Sequence, residues 1–139
     1  MKEQLVQDWM TPDPITVSSD TTLPEVCRLM AGNAIRHLPV MSEGRLVGIV
    51  TWGDIREASA SGATALSIFE LHYLLDKVKV GEIMTPGPIT TTPLTSVSRA
   101  AQIMLENKIG CLPVMSHGRL VGIMTESDIL RMLVMGQAA

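Results

Sequence analysis

Aromatic side chains are almost absent: one Phe, one Tyr and two Trp, 3% of 139 residues. Any core must therefore be built from aliphatic side chains and from the ten Met, whose flexible thioethers fill irregular space. Charge is thin as well. Eleven Lys and Arg against fourteen Asp and Glu give a formal charge of −3, and no Lys/Arg cluster occurs anywhere. That removes the electrostatic footprint by which proteins hold nucleic acid or anionic membranes. No apolar run approaches the length of a membrane span, and acids stand where a secretory leader would carry its apolar stretch. The expectation is a soluble, cytoplasmic chain with neither a nucleic-acid nor a membrane partner.

Cysteine and histidine are scarce too. Cys27 and Cys111 are isolated, show no metal-ligand spacing and fall on apolar faces, so buried free thiols are expected and no metal site is. Acid-base or nucleophilic catalysis needs paired groups in one pocket, but the chain has three His, of which His117 is at a hairpin tip and His72 has no carboxylate or Cys at ligand spacing. Neither a Gly-rich phosphate loop ending in Lys nor a Ser nucleophile elbow is present. The chain reads as a non-enzyme.

What the sequence does have is a duplication. Arg45-Leu46-Val47-Gly48-Ile49-Val50-Thr51-Trp52-Gly53-Asp54 returns as Arg119-Leu120-Val121-Gly122-Ile123-Met124-Thr125-Glu126-Ser127-Asp128, an offset of 128 − 54 = 74. The same offset aligns Met10-Thr11-Pro12 with Met84-Thr85-Pro86, and Leu38-Pro39-Val40-Met41-Ser42 with Leu112-Pro113-Val114-Met115-Ser116. Residues 6–59 and 80–133 align without a gap, with 25 identities in 54 positions. One copy has too little apolar surface to be stable alone, so two copies packed face to face about a pseudo-twofold axis are expected. The division is repeat 1 over residues 1–59, a linker over 60–79 and repeat 2 over 80–139.

Each copy follows one plan. Val6 to Met10 is a lead-in turn, and Thr11-Pro12-Asp13-Pro14 feeds a brief strand from Ile15 to Val17. Thr22, with Glu25 three residues on, predicts a capped amphipathic helix bearing Leu23, Val26, Cys27, Met30 and Ala34 on one face and closing at Gly32-Asn33. Two apolar runs, His37 to Met41 and Arg45 to Thr51, flank Ser42-Glu43-Gly44 and predict a hairpin. A helix follows from Thr51 to about Ala58. In the linker, Ser67-Ile68-Phe69-Glu70 has capping-box spacing and opens a helix of about three turns, with Phe69 and Tyr73 on one stripe. The second copy repeats the plan: a lead-in from Val80 to Met84, a strand from Ile89 to Thr91, a helix from Ser96 to Asn107, hairpin strands Cys111 to Met115 and Arg119 to Met124, and a helix from Glu126 to Met135.

The chemistry concentrates where the hairpin meets the last helix. A strand ending in Gly and then Thr just before a helix leaves backbone N–H groups and a hydroxyl at the helix N-terminus, which suits a phosphate. Asp54, one turn in, can accept two hydrogen bonds from a ribose diol. Thr-x-x-Asp is equally an N-terminal capping box serving only the backbone, and duplication copies caps as readily as sites. Both uses stay open for Thr51 with Asp54 and for Thr125 with Asp128.

The order Met-Thr-Pro, Ile-Thr, amphipathic helix, Leu-Pro-Val, Gly-x-x-Thr-x-x-Asp, twice over, resembles a pair of cystathionine-β-synthase (CBS) domains, the tandem called a Bateman module. The resemblance runs from about Val6 to Leu133, and the connecting segment is similar to that of stand-alone bacterial CBS pairs. It implies an α/β (α+β) fold of two β-α-β-β-α units packed through their sheets. It further implies clefts between them for adenosyl ligands: AMP, ADP, ATP, S-adenosylmethionine, sometimes NADH. In that family the Thr and Asp of the motif contact phosphate and ribose, which carries onto Thr51, Asp54, Thr125 and Asp128. Residues after the first strand and just before Leu-Pro contact base or phosphate, which carries onto Thr16, Ser18, Ile35, Arg36 and His37, and onto Thr90, Thr92, Ile109, Gly110 and Cys111.

The copies differ where Arg36-His37 stands opposite Gly110-Cys111. Arg and His offer donors to a phosphate that Gly and Cys lack, so unequal sites are expected. The family usually pairs two modules, and Ile55, Ile129, Met132 and Leu133 are the apolar positions expected at such a homodimer contact. The functional expectation is a nucleotide-sensing regulatory module. The alternative is a ligand-free structural adaptor for protein association.

Overall fold

The computed structural model describes residues 3–62 and 76–136. The expected linker helix, with Phe69, His72 and Tyr73, lies outside the described residues. The fold is α/β, as the alternating strand and helix periods require. In chain order the elements of the first repeat are α1 (Val6–Trp9), β1 (Thr11–Pro12), β2 (Val17–Ser18), α2 (Leu23–Asn33), β3 (His37–Ser42), β4 (Arg45–Thr51) and α3 (Trp52–Gly62). Those of the second are α4 (Val80–Ile83), β5 (Thr85–Pro86), α5 (Val97–Asn107), β6 (Cys111–Ser116), β7 (Arg119–Thr125) and α6 (Glu126–Gly136).

The compact units are not the sequence repeats. One runs from Ile15 to Pro88, and the other joins the segment ending at Pro14 to the segment beginning at Ile89. Each repeat's lead-in has been exchanged. In the Ile15–Pro88 unit the sheet order is β2-β3-β4-β5, with β5 of the second lead-in antiparallel to β4 through Thr85 opposite Ile49. In the other unit the order is β1-β7-β6, with Thr11 opposite Ile123. Val80, from the second lead-in, is fully buried in the core with Leu23, Val26, Met30, Leu38, Val40 and Val50. Val6 plays the same part beside Val97, Ala100, Met104, Leu112, Val114 and Met124. Leu-Pro-Val is buried in both copies, its Leu and Val packing in a core with side chains of α2 in one unit and of α5 in the other.

Both hairpins close through two residues of positive φ, Glu43 and Gly44 at 51° and 74°, His117 and Gly118 at 51° and 76°. Two such residues make the turn whose twist matches the flanking strands. Both α2 and α5 end on a left-handed residue, Ala34 and Lys108, one position beyond the expected stop, while Asn33 and Asn107 bind back to Leu29 O and Ile103 O at 2.8 Å.

Three expectations are corrected. Thr22 sits at the N-cap of α2 but makes no side-chain cap, and the expected box with Glu25 does not form. Pro24, the second helical residue, has no N–H to cap, and Leu23 N is satisfied by Val78 O at 3.2 Å. The strand expected from Ile89 to Thr91 shrinks to a single bridge, Thr91 with Val114. Cys111 is buried, whereas Cys27 is half-buried on α2; neither is in a disulfide. Burial raises the Cys27 thiol pKa, against opposing pulls from Arg28 and a backbone hydrogen bond.

Candidate functional site

In the Ile15–Pro88 unit, the hairpin register sets His37 opposite Thr51, and Trp52 N donates to Arg36 O at 2.9 Å. Arg36, His37, Thr51 and the first turn of α3 therefore meet at one end of the sheet. Because β2 runs parallel to β3, with Val17 opposite Val40, Thr16 precedes β2 at the level of Pro39, on the side of β2 toward the His37 end. Ser18 does not: its hydroxyl accepts from Asp20 N at 2.9 Å and its N–H donates to Thr21 Oγ1 at 3.1 Å, so it builds the turn. Ile35 is half-buried against the unit's core.

Thr51 and Asp54 form the capping box. Thr51 N donates to Asp54 Oδ2 at 2.9 Å, and Asp54 N donates to Thr51 Oγ1 at 3.2 Å. The box uses only one carboxylate oxygen. Among the described residues Asp54 Oδ1 has no partner, and neither does the proton of the Thr51 hydroxyl. Capping and ligand binding are thus compatible in this motif: the cap fixes the rotamers and leaves an acceptor and a donor over at a helix N-terminus.

The other unit repeats the backbone and changes the side chains. Cys111 is opposite Thr125, and Glu126 N donates to Gly110 O at 3.1 Å. Thr90 is exposed and precedes Thr91, whose backbone brackets β6 through Pro113 O at 2.9 Å and Met115 N at 2.8 Å. The hydroxyls of Thr92 and Thr95 bond each other at 2.7 Å, and Ile109 packs on the core. Asp128 is 5% exposed. Its Oδ2 accepts from Thr125 N at 2.9 Å and from the Thr125 hydroxyl at 3.1 Å, while Oδ1 accepts from Arg131 Nη2 at 3.2 Å. Arg131 Nη2 also donates to Trp9 O at 2.7 Å, and its guanidinium lies 5.8 Å from the Trp9 ring centre.

Sequence reasoning missed Arg131 and Trp9. The spacing Asp128-x-x-Arg131 was a readable helix pair. Trp9 is 122 positions away and carried no such signal.

Residues 6–61 and 80–135 each match the family model of the CBS domain. The chain belongs to the CBS-domain family. It is 35% identical over 132 residues to a CBS domain-containing protein of Dictyostelium discoideum, covering 94% of this chain and 91% of that protein. The CBS domain pair of protein MJ0100, solved in complex with 5′-methylthioadenosine and S-adenosyl-L-methionine, superposes with a TM-score of 0.82 at 32% identity, covering 99% of this chain and 100% of that one. CBSX2 of Arabidopsis thaliana in complex with AMP gives a TM-score of 0.77 at 30% identity, covering 96% and 98%. Some relatives are longer: this CBS pair spans 47% of an uncharacterized protein of Methanocaldococcus jannaschii. Among the described residues, no helix is long and apolar enough to cross a membrane, and no group of three or more His, Cys, Asp or Glu is placed to hold a metal ion.

Proposed function

We propose that this CBS pair is a regulatory module that binds an adenosyl ligand, AMP, ADP, ATP or S-adenosylmethionine, and performs no catalysis of its own. The observation that carries this reading is that solved CBS pairs covering nearly all of this chain, at 30% identity or more, hold S-adenosylmethionine, methylthioadenosine and AMP. The local geometry supports it. Asp54 Oδ1 is an available acceptor for a ribose diol, and Arg36 and His37 stand beside Thr51 where donors to a phosphate are needed. In the other motif Thr125 and Asp128 keep the same backbone frame. Thr16, Thr90, Thr92, Ile35 and Ile109 are the further candidate contacts, whereas the hydrogen bonds of Ser18 go to its own turn.

The test is a calorimetric and thermal-shift panel of AMP, ADP, ATP, S-adenosylmethionine and NADH. A ligand at a hundred times its Kd adds about 2.7 kcal/mol to the folded state, a large shift for a chain this size. No heat and no shift with any of the five would leave the adaptor reading, in which the module works by association alone.

Association belongs to the proposal in either case, as a homodimer. Of the residues expected at that contact, Leu133 is exposed and the other three turn inward. Ile55 is buried at 3% exposure in its own core, and Ile129 and Met132 pack on theirs. A helix has one inward face, and these positions occupy it. The outward stripe on α6 is Leu130, Leu133 and Val134, at spacings of three and four, with Met135 beside it.

A further inference from the structure

The two Thr-x-x-Asp motifs are equal in sequence and unequal in what their atoms have left to offer. At Asp54 one carboxylate oxygen and the Thr51 hydroxyl proton have no partner among the described residues. At Asp128 both oxygens are engaged, and the Thr125 hydroxyl proton is spent on Oδ2 at 3.1 Å. The engagement of the second oxygen, Oδ1, traces to one substitution between the repeats. The position three residues after the aspartate is Arg131 in one and Glu57 in the other, and a glutamate has no donor for a neighbouring carboxylate. Arg131 is itself held from a second side. Its Nη2 donates to Trp9 O at 2.7 Å, its guanidinium stacks near the Trp9 ring, and Trp9 Nε1 donates to Gln4 Oε1 at 2.8 Å.

We infer that Arg131 is a specificity-determining residue that withholds Asp128 from ligand, so that the Thr51–Asp54 motif takes a vicinal diol first and the Thr125–Asp128 motif fills only when Arg131 is displaced. The inference rests on the reading of the module as an adenosyl-ligand binder. A diol approaching Asp128 must replace an ion-paired guanidinium donor with an uncharged hydroxyl, and it must do so at a carboxylate that is almost fully buried. A diol approaching Asp54 Oδ1 displaces no hydrogen bond from the described residues. Arg131 acts through Asp128 and is a positioning residue. The lead-in turn α1 is part of the device, since Trp9 supplies the acceptor and the ring that keep Arg131 in place.

The two Trp of the chain make the idea measurable, because Trp52 follows Thr51 directly and Trp9 lies by Arg131. AMP is titrated into the full chain by calorimetry and, with excitation selective for Trp, into a Trp52→Phe variant in which only Trp9 emits. The expected parent result is one strong site, with the Trp9 signal changing only at a concentration about tenfold or more above that needed to fill it. Arg131→Ala should raise AMP affinity at the second motif by about tenfold, approaching two sites per chain, and adding Asp128→Asn should remove that gain. Trp9→Leu keeps the Arg and loosens its support, and should move the second site in the same direction by less. Two equal sites in the parent, or a second site unchanged or weakened by Arg131→Ala, overturns the inference while leaving the adenosyl reading intact. Absence of binding to the parent and to every variant removes both.

Discussion

Met84 lies directly against Gly48, its side chain filling the space into which a Cβ at that position would project, with Thr85 O only 2.9 Å from the same point. Gly122 stands in the same relation to Met10, whose Sδ would be 2.5 Å from an added Cβ. The Met of each Met-Thr-Pro motif is thus seated on the glycine of the Arg-Leu-Val-Gly strand of the opposite repeat, which explains why both words recur together. The exchanged lead-ins are held by this fit and by the short ladders β4 with β5 and β1 with β7.

Gly48→Ala and Gly122→Ala should therefore destabilise the fold. In an ordinary strand Ala would gain a little over Gly by reducing chain entropy in the unfolded state. Here the clash with backbone oxygen as well as thioether outweighs that gain, and overpacking of this kind costs about 1–3 kcal/mol. Chemical denaturation of each variant checks it. Unchanged or raised stability would mean that the lead-ins are not seated as described.

Thr91→Val should stabilise the protein by about 1 kcal/mol. Thr91 is 5% exposed and its Oγ1 is buried with no hydrogen-bond partner. The matching position in the first repeat is Val17, a core residue, so this site is apolar by design of the repeat and carries a hydroxyl in one copy only. Valine has the same shape without the desolvated oxygen. A rise in melting temperature measured at pH 7, with an unchanged circular dichroism spectrum, is the expected outcome; a fall would show that the hydroxyl is satisfied.

Much of this architecture was legible in the sequence because the information was local. The hairpins followed from Glu43-Gly44 and His117-Gly118 between apolar runs, and the helix faces followed from Leu23, Val26 and Met30 at helical spacing. The exchange of lead-ins was not legible, because an exchanged and a retained lead-in present the same residues to the same kind of sheet. Gly48 and Met84 are 36 positions apart, and nothing in either word says which copy it serves. The exposed face of α6 was legible only in part, at Leu133, for a related reason. On α6 both Ile129 with Met132 and Leu130 with Leu133 have helical spacing, and only the core shows which stripe it has covered. At the motif, the spacing Thr-x-x-Asp does not show that the cap and the ligand role are compatible, which follows from Asp54 having two oxygens of which the cap needs one.

Leu130→Glu together with Leu133→Glu should abolish the proposed dimer and little else. Both side chains are exposed, at 61% and 47%, so charge there costs the isolated chain almost nothing. Across a self-pairing helix face it would place like charges in an apolar contact. The matching positions in the first repeat are Arg56 and Ser59, which are already polar, so α6 is the apolar member of the pair. Light scattering at tens of micromolar should give twice 15.0 kDa for the parent and 15.0 kDa for the double variant. A monomeric parent would remove this face from any role in self-association.

Asp54→Ala and Arg36→Ala separate the two jobs of the first motif. Removing Asp54 takes the acceptor from Thr51 N, at 2.9 Å in the cap, so stability should fall by about 1 kcal/mol whether or not ligand is present. If Oδ1 also receives a ribose hydroxyl, binding should weaken separately by about 1.5–3 kcal/mol, or roughly tenfold to a hundredfold, for AMP and for adenosine alike. Arg36 carries no part of the cap through its side chain; its backbone oxygen does the work of accepting from Trp52 N. Arg36→Ala should therefore leave stability nearly unchanged and weaken AMP, which has a phosphate, well beyond adenosine, which has none. Isothermal titration of both ligands into both variants gives four affinities, and the pattern is decisive: equal losses for AMP and adenosine at Asp54, unequal losses at Arg36. If Asp54→Ala changes stability but neither affinity, the motif is a helix cap alone. If Arg36→Ala treats AMP and adenosine the same, the phosphate is held elsewhere.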